Sequence, residues 1–172
     1  MTPAEPDSVR DVRAALTAAR GAARTFVWSA ERDAGETAEQ AVRRLLARPP
    51  APLIGTAHAD FVLRERGVDP DGGLAHLRMI DRDTAQVVLT SVLHRDLAYN
   101  ASIVDLVEAQ RLARQAVNVM QRSAQWWTNG TFETRSEAGH AFWIGLTGAT
   151  FDAGCIGVDD QRILVLWVMD ED

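Results

Sequence analysis

The sequence predicts an α+β fold in which a C-terminal antiparallel sheet packs against helices. Apolar residues at helical spacing occur only before about residue 122. From Trp126 onward the pattern is β, cut by short turns. Strands therefore come in runs, and runs joined by short turns pair antiparallel instead of forming βαβ crossovers. A chain of 172 residues, 47% hydrophobic and 24% charged, is expected to make a single globular domain spanning 1–172.

Each element has its own signal. Ser8 with Asp11 has the spacing of a capping box, and Val9, Val12, Ala15, Leu16, Ala19 and Ala23 follow on one helical face. Thr25–Ser29 turns β-branched and aromatic and is predicted as a strand. Thr37 and Gln40 repeat the capping box ahead of Ala38, Ala41, Val42, Leu45 and Leu46, and Pro49–Pro50 end that helix because proline lacks the N–H it needs. The connector Pro49–Pro52 is short and inside the domain. A short helix is expected over Ala57–Arg66, stopped by Gly67, followed by a turn at Asp69–Gly73. Leu74–Ile80 and Ala85–Leu93 are expected to be a hairpin joined through Asp81–Thr84, with Val87, Leu89 and Leu93 on one side. Ser102 and Asp105 form a third capping-box pair, and Ile103, Leu106, Val107, Ala113, Val117 and Met120 then carry a long central helix to about Arg122. Trp126–Trp127, an Asn129–Gly130 hairpin turn, Thr131–Thr134, Ala141–Thr147, Ala149–Val158 and Arg162–Met169 make a meander of four or five strands, the last two joined at Asp159–Asp160. The long helix is expected on one face of this sheet.

Composition removes whole classes of chemistry. All 18 basic residues are arginine and there is no lysine. A phosphate-binding loop of the GxxxxGK[ST] kind, a pyridoxal Schiff base and a Ser-Lys hydrolase all need that amine. Cys155 is the single cysteine, so no internal disulfide forms and a zinc site would lack paired thiolates. No run approaches the roughly 18 apolar residues of a membrane helix, and the first ten residues carry Glu5 and Asp7 where a leader would be basic and then apolar. A cytoplasmic protein is expected, without a membrane partner.

The net charge is −6, and residues 151–172 hold six acids against Arg162 alone. No segment offers the basic stripe that releases counterions from phosphates, so no nucleic-acid partner is expected. An acidic end can instead steer a basic protein. Asp159, Asp160, Asp170, Glu171 and Asp172 are the candidate docking residues. Trp126 and Trp127 join them, because consecutive strand residues point to opposite faces and one indole would be left to cover another surface.

Catalytic patterns are sparse. Cys155 with His140 and Asp152 has the composition of a thiol triad, but the surrounding charge is negative and favours the thiol over the thiolate, so a small buried residue is expected. His58-x-Asp60 and His94-x-Asp96, with His140, are ligand types for a metal, yet the first pair falls on a predicted helix where i and i+2 diverge. Neither a metal site nor a cofactor is expected. Asn100 and Asn129 match the glycosylation pattern, but without a leader that match is empty, and Asn129 reads as turn chemistry. Asp152 and Asp170 are two carboxylates with nothing to set their separation. The expected function is therefore a non-catalytic protein-binding module, of an immunity, inhibitor or regulator kind, that docks a basic partner through its acidic C-terminal surface. The alternative is a small-ligand protein or simple enzyme with a pocket between the long helix and a curved sheet, using His94, Asp96, His140 and Cys155. A homo-oligomer is compatible with either.

Overall fold

The computed structural model describes residues 6–48, 74, 76–132, 142–147 and 149–170, with 142–143 described as backbone only. The connector at Pro49–Pro52, the helix expected over Ala57–Arg66 and the turn at Asp69–Gly73 lie outside the described residues. Helix α1 spans Asp7–Arg20, strand β1 Thr25–Glu31, helix α2 Ala38–Ala47, strand β2 Arg78–Ile80, helix α3 Arg82–His94 and helix α4 Leu106–Asn118. Strands β3 (Gln125–Thr128), β4 (Gly130–Thr131), β5 (Phe142–Trp143), β6 (Phe151–Val158) and β7 (Arg162–Asp170) complete the order. The class is α+β. Five strands form one antiparallel sheet in the order β1-β7-β6-β3-β2, and β4 pairs with β5 in a separate ribbon.

The sheet is covered on both faces. Val27, Trp126, Ala153, Cys155, Leu164, Leu166 and Val168 face α1, α3 and α4, while Phe26, Trp127, Ile156, Val158, Ile163, Val165 and Trp167 face α2. The two sets alternate along each strand, as the pleat requires. Helix α2 forms as its sequence predicts. Gln40 N donates to Thr37 Oγ1 at 3.2 Å, Thr37 N donates to Gln40 Oε1 at 2.8 Å, and Ala41, Val42, Leu45 and Leu46 are buried. Such a cap contributes about 1 kcal/mol. On the free edge of the sheet, Arg13 of α1 donates to the Val27 carbonyl at 2.7 Å, which occupies one of the acceptors β1 would otherwise present to another strand.

Four local expectations are corrected. Residues 82–94 form a helix, not the second strand of a hairpin. Ala85, Val88, Leu89, Val92 and Leu93 lie on one buried helical stripe, and Asp81 caps the end by accepting from Thr84 N at 2.7 Å. The β-branched run that suggested a strand is tolerated because Val88 and Val92 are buried on that stripe, and packing overrides a weak local propensity. Thr90 and Ser91 donate their hydroxyls to the carbonyls of Gln86 and Val87. Helix α1 opens at Asp7 after Pro6, with no side-chain cap, so the Ser8–Asp11 box is not made. Helix α4 is capped by Asp105 alone, which accepts from Val107 N and Glu108 N. It has 13 residues against 14 in α1, and is not the long central helix that was expected. Asn129 does not turn a hairpin. It lies where the chain leaves β3 in the main sheet and enters β4 in the ribbon, so the expected meander is divided between two sheets.

Two glycines of β6 allow the sheet to close. A Cβ on Gly154 would stand 2.0 Å from the Leu166 carbonyl oxygen and 2.7 Å from Trp167 Cα, and one on Gly157 would stand 2.7 Å from the Trp126 ring. Gly157→Ala is expected to cost about 1–3 kcal/mol, the usual range for overpacking. Gly154→Ala should cost more, because its obstacle is backbone. Urea denaturation of both variants checks this ranking, and equal midpoints would contradict it.

Candidate functional site

The acidic residues expected to face a partner are mostly inside. Asp159 is 3% exposed, with Oδ1 accepting from Gln161 N at 2.8 Å and Arg162 N at 2.9 Å, and Oδ2 accepting from Gln121 N at 2.9 Å. Asp170 is fully buried and paired with Arg20, with Nε–Oδ1 at 2.9 Å. Asp160 is exposed at the turn, and Glu171 and Asp172 lie outside the described residues. Trp126 and Trp127 do point to opposite faces, but each is buried under helices, so neither indole is left over. The reason is the position of the β6–β7 hairpin. It is the middle of a sheet covered on both sides, and a carboxylate there meets N–H groups before it meets water.

Cys155 and Asp152 lie on opposite faces of β6, which removes the triad geometry, and His140 is outside the described residues. Burial pushes the Cys155 thiol well above its ordinary range, against a smaller lowering effect of the Thr128 hydroxyl. His94 ends α3 with Nδ1 2.7 Å from the Val104 carbonyl oxygen, and Asp96 accepts from Ala98 N and Tyr99 N in its own loop. His94 closes a helix, so the two residues do not share the face of a strand. His58 and Asp60 are outside the described residues. Among the described residues no group of three or more His, Cys, Asp or Glu side chains is placed to hold a metal.

The most elaborate polar centre surrounds Asp152, on the α2 face. Its carboxylate accepts from Leu146 N at 3.0 Å, Thr147 N at 2.9 Å, Thr147 Oγ1 at 2.8 Å, Trp167 Nε1 at 3.0 Å and Asn129 Nδ2 at 3.3 Å. Asn129 also donates to the carbonyls of Ile144 and Asp152. The cluster holds the 144–147 segment and the start of the β4–β5 ribbon against β6. Beside it lies an apolar cavity of about 20 Å³ between α2 and the sheet, where Thr147 is joined by Phe26, Leu45, Leu46, Leu146, Ile156, Val165 and Trp167. Its walls are almost wholly apolar. This cavity lies under α2 and not between α4 and the sheet, and neither His94 nor Cys155 lines it.

A different surface stands out between α3 and α4. Tyr99, Leu106 and Val107 are 69%, 45% and 73% exposed. Residues 96–108 carry Asp96, Asp105 and Glu108 and no basic residue, although Arg111 pairs with Glu108 and Arg95 precedes the segment. Sequence reasoning missed this surface because Leu106 and Val107 fit the apolar period of α4. The lack of arginine over 96–108 was no signal, since residues 136–161 run twice as far without one.

Asp152→Asn is expected to destabilise by about 1–3 kcal/mol, because its amide would face the Thr147 N–H and leave a buried donor without an acceptor. Chemical denaturation followed by tryptophan fluorescence measures this. Cys155 should react with a disulfide reagent only on unfolding. The native rate should stay flat as pH rises through 9.0, the ordinary thiol value, since a raised pKa keeps the thiolate fraction low there. A native rate that climbs like a free thiol would contradict this. Comparison with protein-family models, with curated proteins and with solved structures finds no match for this chain.

Proposed function

We propose that the protein is a non-catalytic protein-binding module whose docking surface for a basic partner is the 96–108 segment joining α3 to α4. The observation that carries this reading is the exposure of Tyr99, Leu106 and Val107 among Asp96, Asp105 and Glu108. Large apolar side chains open to solvent supply anchor area, tyrosine being a common anchor, and surrounding carboxylates favour encounter with a basic surface. The helix behind the patch is firmly held, since Ala109, Leu112, Ala113, Ala116 and Val117 bury its other side. The rest of the acidic C-terminus contributes little to this surface, because Asp159 and Asp170 are consumed in the interior.

The test is affinity capture with the wild type, with Tyr99→Ala/Val107→Ser, and with Asp160→Asn. The wild type and Asp160→Asn should retain the same basic protein at low salt and release it as salt rises. The double variant should lose at least tenfold in affinity, the scale of two modest anchor residues. Undiminished binding by the double variant, or binding indifferent to salt, would end this reading.

A second reading, a small-ligand protein, is favoured by the apolar cavity under α2. Its apolar lining favours a small apolar occupant. A rise in melting temperature with short aliphatic compounds, abolished by Leu146→Phe, would support it by mass action on the native state.

A further inference from the structure

The 95–102 segment is folded mainly on itself. Asp96 N donates to the Ala101 carbonyl, Arg95 Nη1 donates to the Asn100 carbonyl, and Asp96 accepts from Ala98 N and Tyr99 N. Asn100 takes a positive φ of 55° at the tip. Two hydrogen bonds of the described residues tie this segment to elements other than the helices it joins. Leu97 N donates to Asp170 Oδ2 at 2.8 Å, and Arg20 Nη2 donates to the Arg95 carbonyl. Both come from one ion pair, in which Arg20 Nε bonds Asp170 Oδ1 at 2.9 Å and Oδ2 at 3.1 Å, with side chains 2% and 1% exposed.

We infer that Arg20 and Asp170 are positioning residues that clamp the 95–102 segment, and so aim Tyr99, to the ends of α1 and β7. An isolated buried ion pair is a weak stabiliser, since desolvating two charges offsets most of their attraction. This pair does more than hold two charges together. Its acceptor and donor are each shared with the backbone of a loop whose Leu97 also packs against the core under α1, α3 and α4, so the pair converts the rigidity of the central sheet into a defined loop position. The same arrangement gives Asp170, the last described residue of β7, a role at the α3–α4 surface without being exposed there. The effect on partner binding rests on the docking reading above. The effect on the loop does not.

The experiment is hydrogen exchange on the whole protein without partner, comparing wild type with Arg20→Met/Asp170→Leu and Arg20→Met/Asp170→Asn. Both double variants remove the two charges together, which avoids leaving one charge buried alone. The leucine variant also removes the acceptor for Leu97 N, whereas asparagine keeps one. Exchange over 95–102 should quicken at least tenfold in the leucine variant and return toward wild type in the asparagine variant, with β6 and α2 unchanged. Should the leucine variant fail to fold, Asp170→Glu keeps the charge pair and displaces the carboxylate by one methylene, and it should quicken exchange over 95–102 before any other segment. Unchanged exchange over 95–102, or an acceleration spread evenly over the chain, would overturn the clamp. Loss of the clamp result alone leaves the docking reading standing, and failure of the Tyr99→Ala/Val107→Ser capture alone leaves the clamp standing.

Discussion

The burial of the β6–β7 hairpin on both faces is the constraint on which the other features depend. Strands with helices above and below have no solvent side, so each side chain on them must be apolar, absent or fully bonded. Apolar residues fill most positions, glycine fills the places where Leu166, Trp167 and Trp126 approach too closely for a Cβ, and three aspartates fill the remainder. A buried carboxylate without donors would cost several kcal/mol. Here each has found them in a neighbouring loop.

That solution also organises the rest of the chain. Asp152 gathers the 144–147 segment and the indole of Trp167, Asp159 gathers its own turn and the loop after α4, and Asp170 gathers α1 and the α3–α4 connection. One hairpin thus fixes loops at both ends of the sheet. The asymmetry between its aspartates is chemical. Asp170 is matched by a guanidinium, while Asp152 and Asp159 are held by neutral N–H and O–H donors, each geometrically demanding and none replaceable by a change of ionic strength.

For function, the consequence is that acidity in the sequence and acidity at the surface are different quantities here. The C-terminal segment holds most of the chain's net charge, yet of the four acids described there three, Asp152, Asp159 and Asp170, are buried anchors of one hairpin and the fourth, Asp160, is exposed at its turn. Three of the exposed large apolar side chains among the described residues, Tyr99, Leu106 and Val107, lie on the α3–α4 connection and the first turn of α4. Tyr99 is the single tyrosine of the chain and stands open to water, whereas the described tryptophans at 126, 127 and 167 are enclosed.

What the sequence by itself determined is what short-range chemistry controls. The Thr37–Gln40 cap with its apolar stripe made α2, the unbroken apolar run Ile163 to Met169 made β7, and the lack of lysine excluded several reaction types before any fold was known. The α+β class followed from the grouping of such signals. Tertiary structure alone decided the state of residues 82–94, since Val87–Leu89 and Val92–Leu93 suit a strand or a helix until a neighbouring surface selects the spacing that buries them. It also decided which carboxylates meet solvent. Local sequence states that Asp152, Asp159 and Asp170 are charged groups near the C-terminus, but their donors come from as far away as Arg20, and burial is a property of the assembled layers that no window of neighbouring residues contains.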